Sequence, residues 1–104
     1  NQAEKALKMI EYEDMRENPL GHLVMASYYE AQNRPGRAEA EFELAIEKAP
    51  KFALAKIEYA QYLLRTGRAK KALELFEEAE SLDFSLKADA RVQQLKELAK
   101  KQVK

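Results

Sequence analysis

Apolar residues recur along this chain three and four positions apart, with charged residues filling the positions between them. Ala3, Ala6, Leu7 and Ile10 make one apolar face against Glu and Lys on the other, which predicts an amphipathic helix over 3–17. Asn18-Pro19 ends it, because a residue that precedes proline is pushed out of the α region. A second helix is predicted over 20–32, closing at Asn33, a residue that tolerates the left-handed conformation common at helix ends. Pro35 suits the first turn of a third helix, where its missing N–H costs nothing, and Pro50 stops that helix after residue 48. The same cycle then predicts a helix over 53–66, a closing Gly67 and a helix over 69–82. Beyond Leu86 the pattern changes: Ala88, Val92, Leu95 and Ala99 form a single stripe on a polar segment, which predicts a terminal helix over 87–104. The sum is six helices, no strands and no long loop, an all-α fold.

The cycle is a repeat. Displacing the sequence by the distance from Leu20 to Leu54 also pairs Ala26 with Ala60, Tyr28 with Tyr62, Arg34 with Arg68, Ala38 with Ala72, Phe42 with Phe76 and Ala45 with Ala79. Self-similarity at a fixed period of this size is the signature of stacked helical units, each unable to bury its apolar face alone. It divides the chain into a worn or partial repeat helix over 1–18, repeats over 19–52 and 53–86, and a terminal capping helix over 87–104, together one domain.

Written out, the two copies read His22-x2-Met25-Ala26-x2-Tyr29, Ala38-x3-Phe42, Ala45, Pro50, then Lys56-x2-Tyr59-Ala60-x2-Leu63, Ala72-x3-Phe76, Ala79, Phe84. This resembles the tetratricopeptide repeat family, whose pattern runs Trp-x2-Leu-Gly-x2-Tyr, Ala-x3-Phe and a later Pro. The resemblance implies antiparallel helix hairpins stacked as a short right-handed α-solenoid. Ala26, Ala45, Ala60 and Ala79 would sit where helices approach closely, with Tyr29, Phe42, Leu63 and Phe76 filling the space beside them. His22 and Lys56 replace the large aromatic, and Phe84 replaces the closing proline, so the second exit turn is expected to differ.

The resemblance also implies a concave groove lined by the opening helix of each repeat. The matching positions are Leu20, Leu23, Ser27, Glu30 and Ala31 in the first copy and Leu54, Ile57, Gln61, Leu64 and Arg65 in the second. At about 100° per residue these lie away from the face carrying Met25, Ala26 and Tyr29, so each opening helix has a second apolar face. Two readings stay open: Leu23 and Ile57 are buried between repeats with the terminal helix over the rest, or the face is an open groove for an amphipathic segment. Relatives that grip a chaperone's C-terminal carboxylate use Lys, Asn and Arg, and the matching residues here, Leu23, Ser27, Glu58, Ala88 and Val92, make no such clamp. The expected function is therefore a non-catalytic scaffold with a protein or peptide partner. The alternatives are a module that associates with its own copies, as a homodimer or by continued stacking, and a designed or reconstructed repeat protein.

Composition narrows the chemistry. Eighteen basic residues balance eighteen acidic ones among 104, so no global field favours nucleic acid or an anionic membrane. No apolar run reaches the roughly 20 residues that span a bilayer, so no membrane insertion is expected and a soluble chain is, the cytoplasm ahead of the periplasm. The start at Asn1-Gln2 suits a processed or excised segment. With no Cys and one His there is neither a thiolate nor a His-centred triad, and no glycine-rich phosphate loop, so neither an enzyme nor a cofactor is expected. His22 reads as packing or a hydrogen bond, since its helical neighbours offer no further metal ligand. The carboxylates at Glu11, Glu13, Asp14 and Glu17, and at Glu77, Glu78, Glu80 and Asp83, read as solvated faces rather than a cation site. Tyr28 and Tyr62 read as core or inter-repeat packing. Residues 87–104 carry six Lys or Arg against Asp89 and Glu97, with Lys96, Lys100 and Lys104 lined up opposite the apolar stripe, as a solvated cap would have them.

Overall fold

The computed structural model describes residues 18–103 of the chain. These form five α-helices, α1 (Pro19–Ala31), α2 (Pro35–Lys48), α3 (Ala53–Arg65), α4 (Ala69–Leu82) and α5 (Ala90–Gln102), with a 3₁₀ turn at Phe84–Ala88 between the last two. No strand occurs among the described residues, and the fold is all-α. The helix expected over 3–17 lies outside them. The chain divides after Pro50 into two compact units, the first holding α1 and α2 and the second holding α3, α4, the 3₁₀ turn and α5.

In each unit the opening and closing helices pack along one another as a hairpin, and the loop is set by one left-handed residue. Asn33 has φ 60° and Gly67 has φ 83°. In the first hairpin the Arg34 N–H donates to the Tyr29 carbonyl at 2.9 Å and the Asn33 N–H to that of Glu30 at 3.0 Å. The second repeats both bonds, from Arg68 to Leu63 at 2.8 Å and from Gly67 to Leu64 at 3.3 Å. This paired closure uses up two carbonyls that the helix end leaves unmet, and it needs a residue that can turn left-handed. Pro35 occupies the first turn of α2, as its spacing predicts, and Ala49 before Pro50 leaves the helical region at φ −138°. At the start of α1, the Asn18 side chain accepts from the Leu20 N–H at 2.9 Å, making it the N-cap with Pro19 behind it.

The four alanines expected at close approaches, Ala26, Ala45, Ala60 and Ala79, are completely buried, as are Leu63 and Phe76, with Phe42 nearly so. Tyr29 is only half-buried and lies under the Arg37 guanidinium, 5.8 Å from its ring centre. Of the equivalent tyrosines, Tyr62 is buried, whereas Tyr28 is half-buried and its hydroxyl accepts from the Gln32 amide at 2.7 Å. Both polar substitutes for the motif's large aromatic find a carboxylate across their own hairpin. His22 Nδ1 lies 2.6 Å from Glu41 Oε1, and Lys56 Nζ lies 3.4 Å from Glu78 Oε1.

The terminal segment departs from expectation. A continuous helix over 87–104 is replaced by the 3₁₀ turn and a helix that begins at Ala90. The cause is a pair of aspartates that compete for the backbone. Asp83 Oδ1 accepts from the Ser85 N–H at 3.0 Å and from the Ser85 hydroxyl at 2.6 Å, while Asp89 Oδ1 accepts from the N–H groups of Arg91 at 2.9 Å and Val92 at 3.1 Å. Ala88 therefore leaves the apolar stripe and is exposed, Leu95 is half-buried, and Val92 and Ala99 bury the helix against α4. Phe84, in the place of the closing proline, stays 72% exposed with the Lys87 ammonium 5.2 Å from its ring centre.

Two charge assignments also change. Glu80 is buried rather than solvated, and Lys96 does not stand opposite the stripe but reaches Glu80 Oε1 at 2.8 Å. Gln93 donates to the other Glu80 oxygen at 2.7 Å and to the Leu86 carbonyl at 3.0 Å. One-turn spacing puts Gln93 and Lys96 on the flank of α5 that meets α4, so the register of that helix turns them inward.

Candidate partner-binding cleft

The second unit holds a cleft of about 310 Å³. Its near wall is the first three turns of α3, which present Ala53, Leu54, Ile57, Glu58 and Gln61; its far wall is Asp83, Leu86, Asp89, Arg91 and Val92. The near wall follows from helical spacing, since residues three and four apart share a face. The far wall is held by the caps of Asp83 and Asp89 and by Gln93, which ties the Leu86 carbonyl to Glu80. Leu54, Ile57, Leu86 and Val92 supply apolar surface, and Glu58, Asp83 and Asp89 set three carboxylates against the single guanidinium of Arg91.

Glu80 anchors this arrangement from behind. Burial alone would push its carboxyl up, but the hydrogen bonds from Lys96 and Gln93, with the positive charges of Lys96 and Lys87, hold it below the ordinary carboxylate value. It is thus charged at neutral pH and keeps both donors engaged.

Of the ten residues assigned to a groove, the cleft gathers Leu54, Ile57 and Gln61. Leu64 and Arg65 do not line it: Leu64 is half-buried and Arg65 exposed in the last turn of α3. Ten and eleven residues from Leu54, they stand about 15 Å or more further along the axis, at about 1.5 Å of rise per residue. In the first unit Leu23 is buried, Glu30 half-buried, and Leu20, Ser27 and Ala31 exposed. The repeat equivalence persists in exposure: Leu23 and Ile57 are 8% and 7% exposed, Leu20 and Leu54 50% and 42%.

The far wall was the part that sequence reasoning missed. Its signal was Asp83 and Asp89, each two residues ahead of the N–H that its side chain accepts. Of the carboxylates weighed for a cation, Glu78 turns to Lys56, Glu80 to Lys96 and Asp83 to its own cap, and no cluster of three metal-ligating side chains occurs among the described residues. The residues from Glu11 to Glu17 lie outside them. No helix among the described residues is long and apolar enough to cross a membrane. A second, basic cleft of about 490 Å³ lies where α4 begins. Its Lys71 and Arg68 sit over the rings of Tyr59 and Tyr62, at 5.2 and 5.8 Å from their centres, and so contribute to packing. No protein-family model matches the chain, and no curated protein or solved structure matches it.

Proposed function

We propose that this chain is a non-catalytic protein–protein interaction scaffold of the tetratricopeptide kind, which holds an apolar segment of a partner protein in the cleft between α3 and the start of α5. The observation that carries the reading is Leu54. It is a large aliphatic side chain left 42% exposed at the mouth of a cleft whose lining also includes the buried Ile57 and Val92. Burying one such side chain completely stabilises by about 1.5–3 kcal/mol, so two or three anchors support micromolar binding once the cost of association is subtracted. The two copies agree at the alanines and phenylalanines that pack the hairpins and differ at Glu30/Leu64 and Ala31/Arg65. The repeat thus builds the scaffold; within the cleft the copies differ at Val24/Glu58 and Ser27/Gln61, where the second unit carries polar residues.

Selection from a random peptide library on the intact chain, with the Leu54→Lys variant as counter-target, tests this. Enriched sequences that bind the wild type and not the variant support the reading; sequences that bind both equally, or no enrichment, overturn it. A second reading, association between copies, is favoured by Leu98 and Val103, which remain 50% and 38% exposed on and just after α5. Light scattering across concentration separates the two, a monomer supporting the first and a stable dimer the second.

A further inference from the structure

We infer that the partner segment is cationic as well as apolar: an amphipathic stretch with two or three aliphatic anchors flanked by Lys or Arg. This rests on the cleft reading above and adds the sign of the charge. The lining sets Glu58, Asp83 and Asp89 against Arg91 alone, although the whole chain carries eighteen residues of each sign. The negative excess is therefore a property of this cleft. It is also fixed in place. Asp83 and Asp89 are each held by two hydrogen bonds from the backbone or side chain of the residues that follow, and Glu58 stands one turn along α3 from Leu54. An aliphatic side chain entering between Leu54 and Leu86 would have Glu58 on one wall of the cleft and Asp83 and Asp89 on the other. Its neighbours in sequence then meet negative charge on both walls. Charges so arranged raise the on-rate for a cationic segment and penalise an anionic one, because like charges brought together as water leaves cost more than they would in bulk solvent. The cleft's size agrees with a few anchors, as its 310 Å³ sits at the small end of the ligand-site range.

The test uses three fluorescein-labelled synthetic peptides and the full chain, read by anisotropy at two salt concentrations. One peptide has Leu at i, i+3 and i+7 with Lys between; the second replaces every Lys with Glu; the third scrambles the first, so that charge is kept and the apolar register lost. The expected result is that the first binds at least tenfold more tightly than either of the others. Glu58→Lys should cut that preference at least fivefold, without a shift in melting temperature. Equal or tighter binding of the Glu peptide overturns the charge inference while leaving the cleft reading in force. Equal binding of the scrambled peptide, lost at high salt, overturns it as attraction without a site. Failure of both Leu-patterned peptides to bind at millimolar concentration overturns both readings.

Discussion

At the scale of single residues, the two copies of the repeat solve one problem with different chemistry. Asn33 and Gly67 both turn left-handed, and a Cβ built on Gly67 meets nothing within 4 Å. Any penalty for filling that position is therefore one of backbone conformation rather than space. Gly67→Ala should cost about 1 kcal/mol in a urea titration, and Gly67→Asn less than half of that, because Asn accepts the left-handed region and Asn33 already does so. This feature was legible in the sequence, since the demand on φ is local and only Gly and Asn meet it cheaply. The pairing of His22 with Glu41 and of Lys56 with Glu78 was not. The partners are 19 and 22 residues away, and they stand at different repeat positions in the two copies. Only the packed hairpin shows which carboxylate faces the His22 ring and which the Lys56 ammonium.

Among the elements, α5 departs furthest from its sequence expectation and has the most consequence for the cleft. Its start is set by Asp89, so Asp89→Ala should lower stability by about 1 kcal/mol and loosen the far wall, measurable as faster amide exchange at Arg91 and Val92. Its docking onto α4 combines Val92 and Ala99 with the pair of Lys96 and Glu80, whose side chains are 13% and 6% exposed. Taking away one member strands the other, so Lys96→Ala should cost about 2–3 kcal/mol. The first copy carries Ile46 where the second has Glu80. The double variant Glu80→Ile with Lys96→Met should therefore recover most of that loss in chemical denaturation, an apolar pair replacing an ionic one. The pair also sets a pH dependence. Glu80 has a folded value below its ordinary 4.5, so the stability it adds is complete above that value and is lost as pH falls through the depressed one. As pH falls below 4.5 the wild type should lose more stability than the double variant, and equal losses would contradict the account. Periodicity revealed that a terminal helix exists. It missed the two caps and the inward turn of Lys96, because a stripe of spacing three and four specifies a face but not which flanking polar residues are buried when that face docks.

On the scale of the molecule, the all-α fold and its hairpins followed from the apolar spacing, the three prolines at helix boundaries and the left-handed residues. The groove was legible only in part. The pattern placed Leu54, Ile57 and Gln61 on one face, and that face lines the cleft. The same pattern put Leu64 and Arg65 with them, because a repeat register carries no measure of how far the opposing wall extends. Leu64→Lys should consequently leave peptide affinity within about twofold and lower stability, since Leu64 is half-buried; Leu54→Lys should do the reverse, weakening binding about tenfold with little effect on melting, an effect of about 1.4 kcal/mol. The most direct test of the central claim is an amide chemical-shift map of the intact chain, titrated with the Leu- and Lys-patterned peptide. The account predicts saturable shifts concentrated between residues 53 and 61 and between 83 and 92, absent in Leu54→Lys. Shifts confined to other surfaces, or unchanged in that variant, would contradict it.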